Sequence, residues 1–97
     1  MLIARFDGDV RQLTMAYDRA HALIMGRGGA TQVGELRHHC AVDERSLYII
    51  GVWESSESIR LRWASEQFET LLTSVGFPSP KSAHMTILDL HAIEPPL

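Results

Sequence analysis

The stretch SLYIIGVWESSESIRLRW, Ser46 to Trp63, decides the fold. Leu47 to Trp53 is a run of β-branched, aromatic and other apolar side chains broken only by Gly51. A strand with one wet face alternates polar and apolar residues, whereas a continuous apolar run predicts a strand buried on both faces. Glu54-Ser55-Ser56-Glu57 follows at once. Its hydroxyls can accept from the free amide N–H groups of a helix start, and its carboxylates suit the positive end of the helix dipole. A central strand, a sharp corner and a helix carrying Trp63 are therefore expected in immediate succession.

Upstream, Glu35 to Val42 (ELRHHCAV) reads as a second strand, joined to the central one by the charged turn Asp43-Glu44-Arg45-Ser46. Strict alternation places Leu36, His38, Cys40 and Val42 on one face and Glu35, Arg37, His39 and Ala41 on the other. Leu2 to Phe6 reads as an opening strand, followed by the turn Asp7-Gly8-Asp9. Asp9 and Gln12 have the spacing of a capping box. Leu13, Ala16, Tyr17, Ala20, Leu23 and Ile24 then recur at helical spacing, with His21 at the edge of that face. Gly26, Gly28 and Gly29 stop this helix, Gly26 as its left-handed cap.

Downstream, Ile59, Trp63, Ala64, Phe68, Leu71, Leu72 and Val75 form the stripe of a second helix from Glu57 to Val75, ended by Gly76 and Pro78. Ala83 to Ile93 is expected as the last strand, with a stiff tail Glu94-Pro95-Pro96-Leu97. The order strand, helix, strand, strand, helix, strand, with right-handed crossovers, predicts a single α+β domain over residues 1–97 with a ferredoxin-like antiparallel sheet. Both helices then cover one sheet face. The other face stays apolar and open, which calls for a partner, and a second copy of the chain is the simplest one.

Composition narrows the function classes. The formal net charge is −3 with a pI near 5.9, and no basic cluster is present, so nucleic acid is not an expected partner. The longest apolar run is too short to cross a bilayer, and no secretory leader pattern is seen, so no membrane association is expected. The single cysteine, Cys40, admits no internal disulfide, and a cytoplasmic location is the expectation.

The element order and the corner Gly51-Val52-Trp53-Glu54-Ser55, with Glu57 and Trp63 behind it, resemble the dimeric α+β barrel superfamily, and in particular the antibiotic-biosynthesis-monooxygenase-like domains. The strand running into Glu94-Pro95-Pro96 is similar as well. The resemblance spans the whole chain. It implies a homodimeric barrel closed through the open sheet face, and a pocket between helices and sheet for a small hydrophobic or aromatic molecule. It also implies cofactor-independent oxidation of an aromatic or polyketide-like substrate. The haem-degrading branch of the family is matched only at Trp63. Its asparagine position falls near Phe6 or Asp7 and its histidine position near Leu72 or Thr73, so its axial ligand is missing. No cofactor is expected.

His38 and Trp63 are the candidate catalytic residues, and Phe6, Tyr17, His21, Trp53 and Phe68 the candidate substrate-binding ones. Each has a plainer reading. Trp63, Phe68 and Phe6 fit an ordinary core, Trp53 a core or dimer contact, and His21 a solvated helix edge. His38 is either a base in an apolar cleft or an interface histidine. His38-His39-Cys40 suggests a metal cluster, but adjacent strand residues point to opposite faces and two ligands do not close a zinc site, so no metal is expected. The non-catalytic alternative is a ligand-binding or structural homodimer whose aromatics fill the core.

Overall fold

The computed structural model describes residues 1–97. Four strands, β1 (Leu2–Asp7), β2 (Glu35–Val42), β3 (Ser46–Trp53) and β4 (His84–Ile87), form one antiparallel sheet in the order β2-β3-β1-β4. Helices α1 (Val10–Gly26), α2 (Ser56–Ala64) and α3 (Glu66–Ser74) complete an α+β fold compatible with a ferredoxin-like arrangement. The predicted central strand is central: β3 lies between β2 and β1, and Ser46, Leu47, Ile49, Gly51, Val52 and Trp53 are buried.

Local chemistry sets the boundaries. The Asp9 side chain accepts from Gln12 N at 3.1 Å and starts α1. Ser55 and Ser58 cap α2 reciprocally, with Ser58 N to Ser55 Oγ at 3.1 Å. Gly26 stays helical, and the chain turns instead through Gly28 and Gly29, at φ 97° and 80°. No helix is long and apolar enough to cross a membrane.

Three further expectations are corrected. The helix expected from Glu57 to Val75 is two helices, because Ser65 is extended (φ −74°, ψ 140°) and its hydroxyl accepts from Phe68 N at 3.1 Å. An N-cap in mid-stripe restarts the helix and leaves the apolar stripe unbroken. The last strand expected over Ala83 to Ile93 ends at Ile87. Past Ile87 the pairing with β1 goes one residue further, Leu88 N donating to Met1 O at 2.8 Å and Met1 N to Leu88 O at 2.6 Å, and the strand conformation is not kept. The third correction is in β2. Its register slips between Glu35 and Arg37, so Glu35 stands opposite Trp53 and Arg37 opposite Val52. Leu36 is the extra residue of a bulge and is exposed, while Glu35 joins the face of His38 and Cys40.

The core lies between the sheet and the helices. Leu2, Ala4 and Phe6 of β1 and Leu47, Ile49 and Trp53 of β3 meet Leu13, Ala16 and Ala20 of α1 and Ile59, Trp63, Phe68, Leu71 and Leu72 of α2 and α3. On the opposite face of the sheet Ile3, Tyr48 and Ile50 remain only half-buried.

Candidate functional site

The bulge in β2 has a chemical consequence. With Glu35 turned to the inner face, its carboxylate oxygens lie 3.1 and 3.2 Å from His38 Nδ1. His38 Nε2 lies 2.7 Å from the Tyr17 hydroxyl on α1. An ionised carboxylate only accepts, so the contact with Glu35 puts a proton on Nδ1, and in that tautomer Nε2 accepts from the phenol. Tyr17, His38 and Glu35 thus form one hydrogen-bonded chain running from helix to sheet. The Tyr17 and His38 rings are parallel within 8°, with centroids 5.9 Å apart, and His21, one helical turn on, stacks on Tyr17 at 5.7 Å.

Burial, with Cys40, Glu35 and Asp18 adding repulsion, pushes the Tyr17 phenol up to about 12, so it is a neutral donor at physiological pH. Burial and Asp18 push the Cys40 thiol up to about 11, which makes it a poor nucleophile there.

The Tyr17–His38–Glu35 chain borders an apolar cavity of about 100 Å³ under α1, also walled by Ile49, Trp53, Trp63, Phe68, Leu72 and Phe77. That is comparable with cavities of roughly 150 Å³ that take up a benzene ring, and below the ~300 Å³ common for larger ligands. Trp53 Nε1 and Trp63 Nε1 are buried without a hydrogen-bond partner. Gly51 makes room at this wall. A Cβ there would come within 2.8 Å of Trp53 Nε1 and 3.1 Å of Glu35 Oε2. Arg62 on α2 also lines the cavity, with its guanidinium 4.4 Å from the Phe68 ring centroid. Burial lowers its pKa, though not enough to discharge an arginine.

Six of the candidate residues meet at this cavity: Tyr17, His21, His38, Trp53, Trp63 and Phe68. Phe6 does not line it. It is fully buried behind Trp63, with ring centroids 6.1 Å apart, and packs edge-on to Phe77 at 4.8 Å. Glu35 and Arg62 were not among the sequence candidates. Strict alternation assigned Glu35 to the wrong face, and no residue pattern announces a bulge. Arg62 carried one signal, an arginine immediately before Trp63 on the apolar stripe.

Comparison with protein-family models, curated proteins and solved structures returned no match. The family resemblance therefore rests on the element order and the Trp53-Glu54-Ser55 corner.

Proposed function

We propose that the cavity is the site of a small-molecule-binding protein that performs acid–base chemistry on its ligand, in the manner of the monooxygenase-like domains it resembles. The Tyr17–His38–Glu35 chain carries this reading. A substrate proton taken up at the Tyr17 oxygen is relayed as Tyr17 gives its own proton to His38, and the Glu35 carboxylate holds the resulting imidazolium. A base oriented by a third group is the arrangement general-base catalysis requires. The product of that step is a delocalised anion of an aromatic or polyketide-like substrate. The resemblance adds its fate: at a CH2 carbon of the substrate both C–H bonds are lost, one oxygen atom of dioxygen becomes the carbonyl oxygen of the product, and the other leaves as water with the two hydrogens, so the substrate itself supplies all four electrons. A multi-ring substrate inserts only one ring, given the cavity's volume. His38 is the base, Tyr17 the relay, and Trp53, Trp63 and Phe68 are walls.

We infer further that the chain works as a homodimer joined through the outer sheet face bearing Ile3, Tyr48 and Ile50, closing a dimeric α+β barrel. That places His38 in the pocket and away from the interface.

The packing of Trp63 between Phe6 and Phe68, at 6.1 and 5.2 Å, favours a second reading. In it the aromatics are core and the protein binds a ligand without transforming it. His38→Ala and Tyr17→Phe separate the two. Hydroxylated polycyclic aromatics are screened by thermal shift, because a ligand of the folded state raises apparent stability. Turnover under oxygen is then followed with any compound that binds. Loss of base catalysis lowers turnover by about 10²–10⁴-fold while the dimer stays intact. Binding without turnover in the unaltered protein supports the second reading. An unaltered turnover rate in His38→Ala removes His38 from the mechanism.

A further inference from the structure

The unsatisfied groups around the cavity are all donors. Trp53 is 9% and Trp63 6% exposed, both indole N–H groups lack a partner, and both rings are cavity walls. The third is Arg62. The side-chain ion pairs of the chain are Arg5–Asp7, His38–Glu35, Lys81–Glu69 and His84–Asp7, so the half-buried Arg62 guanidinium has no carboxylate in contact, and Glu35 attracts it only from beyond ion-pair distance. It rests on the face of Phe68 with its fork of N–H groups free. The one carboxylate among the cavity walls, Glu35, is engaged with His38.

A buried donor without an acceptor is destabilising, and a desolvated cation without a counter-ion more so. A ligand that relieves both supplies acceptors and negative charge and no donor of its own. An ionised carboxylate does this, and its planar pair of oxygens matches the guanidinium fork. The remaining walls are apolar and aromatic, and they take the body of the same ligand. Arg27 lies near enough to Arg62 to repel it, less strongly than Glu35 attracts it, and both arginines line the polar groove that adjoins the cavity together with Glu66.

We propose that the ligand is an organic carboxylate of about one ring, with its apolar body in the cavity and its carboxylate on Arg62. This rests on the cavity's being the ligand site.

Phenylacetate and its neutral isostere phenylacetamide, titrated at pH 7 by calorimetry and thermal shift, test it. The acid is expected to bind about tenfold or more tightly than the amide, the usual ratio for a hydrogen bond to a charged group. Arg62→Gln is expected to bring the two within about twofold by weakening the acid alone, and Arg62→Lys to keep part of the preference. Equal binding of acid and amide by the unaltered protein overturns the carboxylate assignment and leaves the cavity as a ligand site. Failure of both to bind at millimolar concentration overturns the assignment together with the cavity reading. Should Arg62→Gln fail to fold, the acid-to-amide ratio of the unaltered protein decides alone.

Discussion

Glu35 reaches His38 across three positions of one strand, with carboxylate oxygens 3.1 and 3.2 Å from Nδ1, because Leu36 is bulged out between them. In a regular strand, residues three apart face opposite ways. The bulge therefore orients the imidazole, and Leu36 serves as a spacer at 43% exposure. Leu36→Ala is expected to change unfolding free energy by less than about 1 kcal/mol. Leu47→Ala, at a position with no exposure, is expected to lose about 2–5 kcal/mol. Urea unfolding of the two variants measures both. A Leu36→Ala loss as large as that of Leu47→Ala would mean that Leu36 points into the core and that the Glu35–His38 contact does not form.

Gly51 and Gly26 respond to the same substitution in opposite directions. A Cβ at Gly51 meets Trp53 Nε1 at 2.8 Å and Glu35 Oε2 at 3.1 Å, so the indole, the carboxylate or both must move. Gly51→Ala is expected to destabilise by about 1–3 kcal/mol and to shift the tryptophan emission, since overpacking in a filled site is relieved only by displacement. Gly26 is helical and a Cβ there meets nothing within 4 Å. Gly26→Ala is expected to stabilise by about 0.5 kcal/mol through the lower entropy of the unfolded chain. Thermal unfolding and emission spectra of the pair check both signs.

The architecture was legible where hydrophobic pattern and caps agree. Leu47 to Trp53 predicted the central strand, and Gly76 takes the left-handed conformation expected after the helix stripe, at φ 84°. Two failures have one cause, a local hydrogen bond or register choice that leaves the pattern unchanged. Ser65 breaks a helix whose apolar stripe runs on through Phe68 and Leu72. Leu36 interrupts a strand whose alternation looks regular. The site followed the same division. Tyr17, His21, His38, Trp53, Trp63 and Phe68 were found by residue type and face. Glu35 needed the bulge, and Arg62 needed the absence of any carboxylate within ion-pair distance.

Alkaline titration isolates Tyr17. Its phenol, with an unfolded value near 10, is held up to about 12 in the fold. The folded state thus binds this proton more tightly than the unfolded chain. The stability this confers is complete below pH 10 and disappears as pH rises through about 12. Cys40 behaves alike, from 9.0 to about 11. Phenolate absorbance is expected to show an ionisation step near pH 12 that is missing in Tyr17→Phe. Urea midpoints of Tyr17→Phe are expected to fall less steeply above pH 10 than those of the unaltered protein, with the Cys40 part retained. A Tyr17 step at pH 10 would mean that the phenol is solvated rather than buried.

The outer sheet face supplies the remaining prediction. Ile50 sits there on the central strand, half-buried, opposite Ile3 on β1 and His39 on β2. No helix of the chain covers it, because the buried faces of α1, α2 and α3 all join the core on the other side. A homodimer through this face requires about 800 Å² from each copy, centred on apolar residues. Ile50→Glu puts a carboxylate at that centre, facing its own image across a two-fold axis, where burial without a counter-charge opposes association. The unaltered protein is expected to scatter light as a dimer at micromolar concentration, with a Tm that rises with concentration. Ile50→Glu is expected to scatter as a monomer with unchanged helix content, because its side chain lies outside the core. An unaltered protein of monomer mass, with a Tm independent of concentration, removes the interface and leaves the cavity on a single chain.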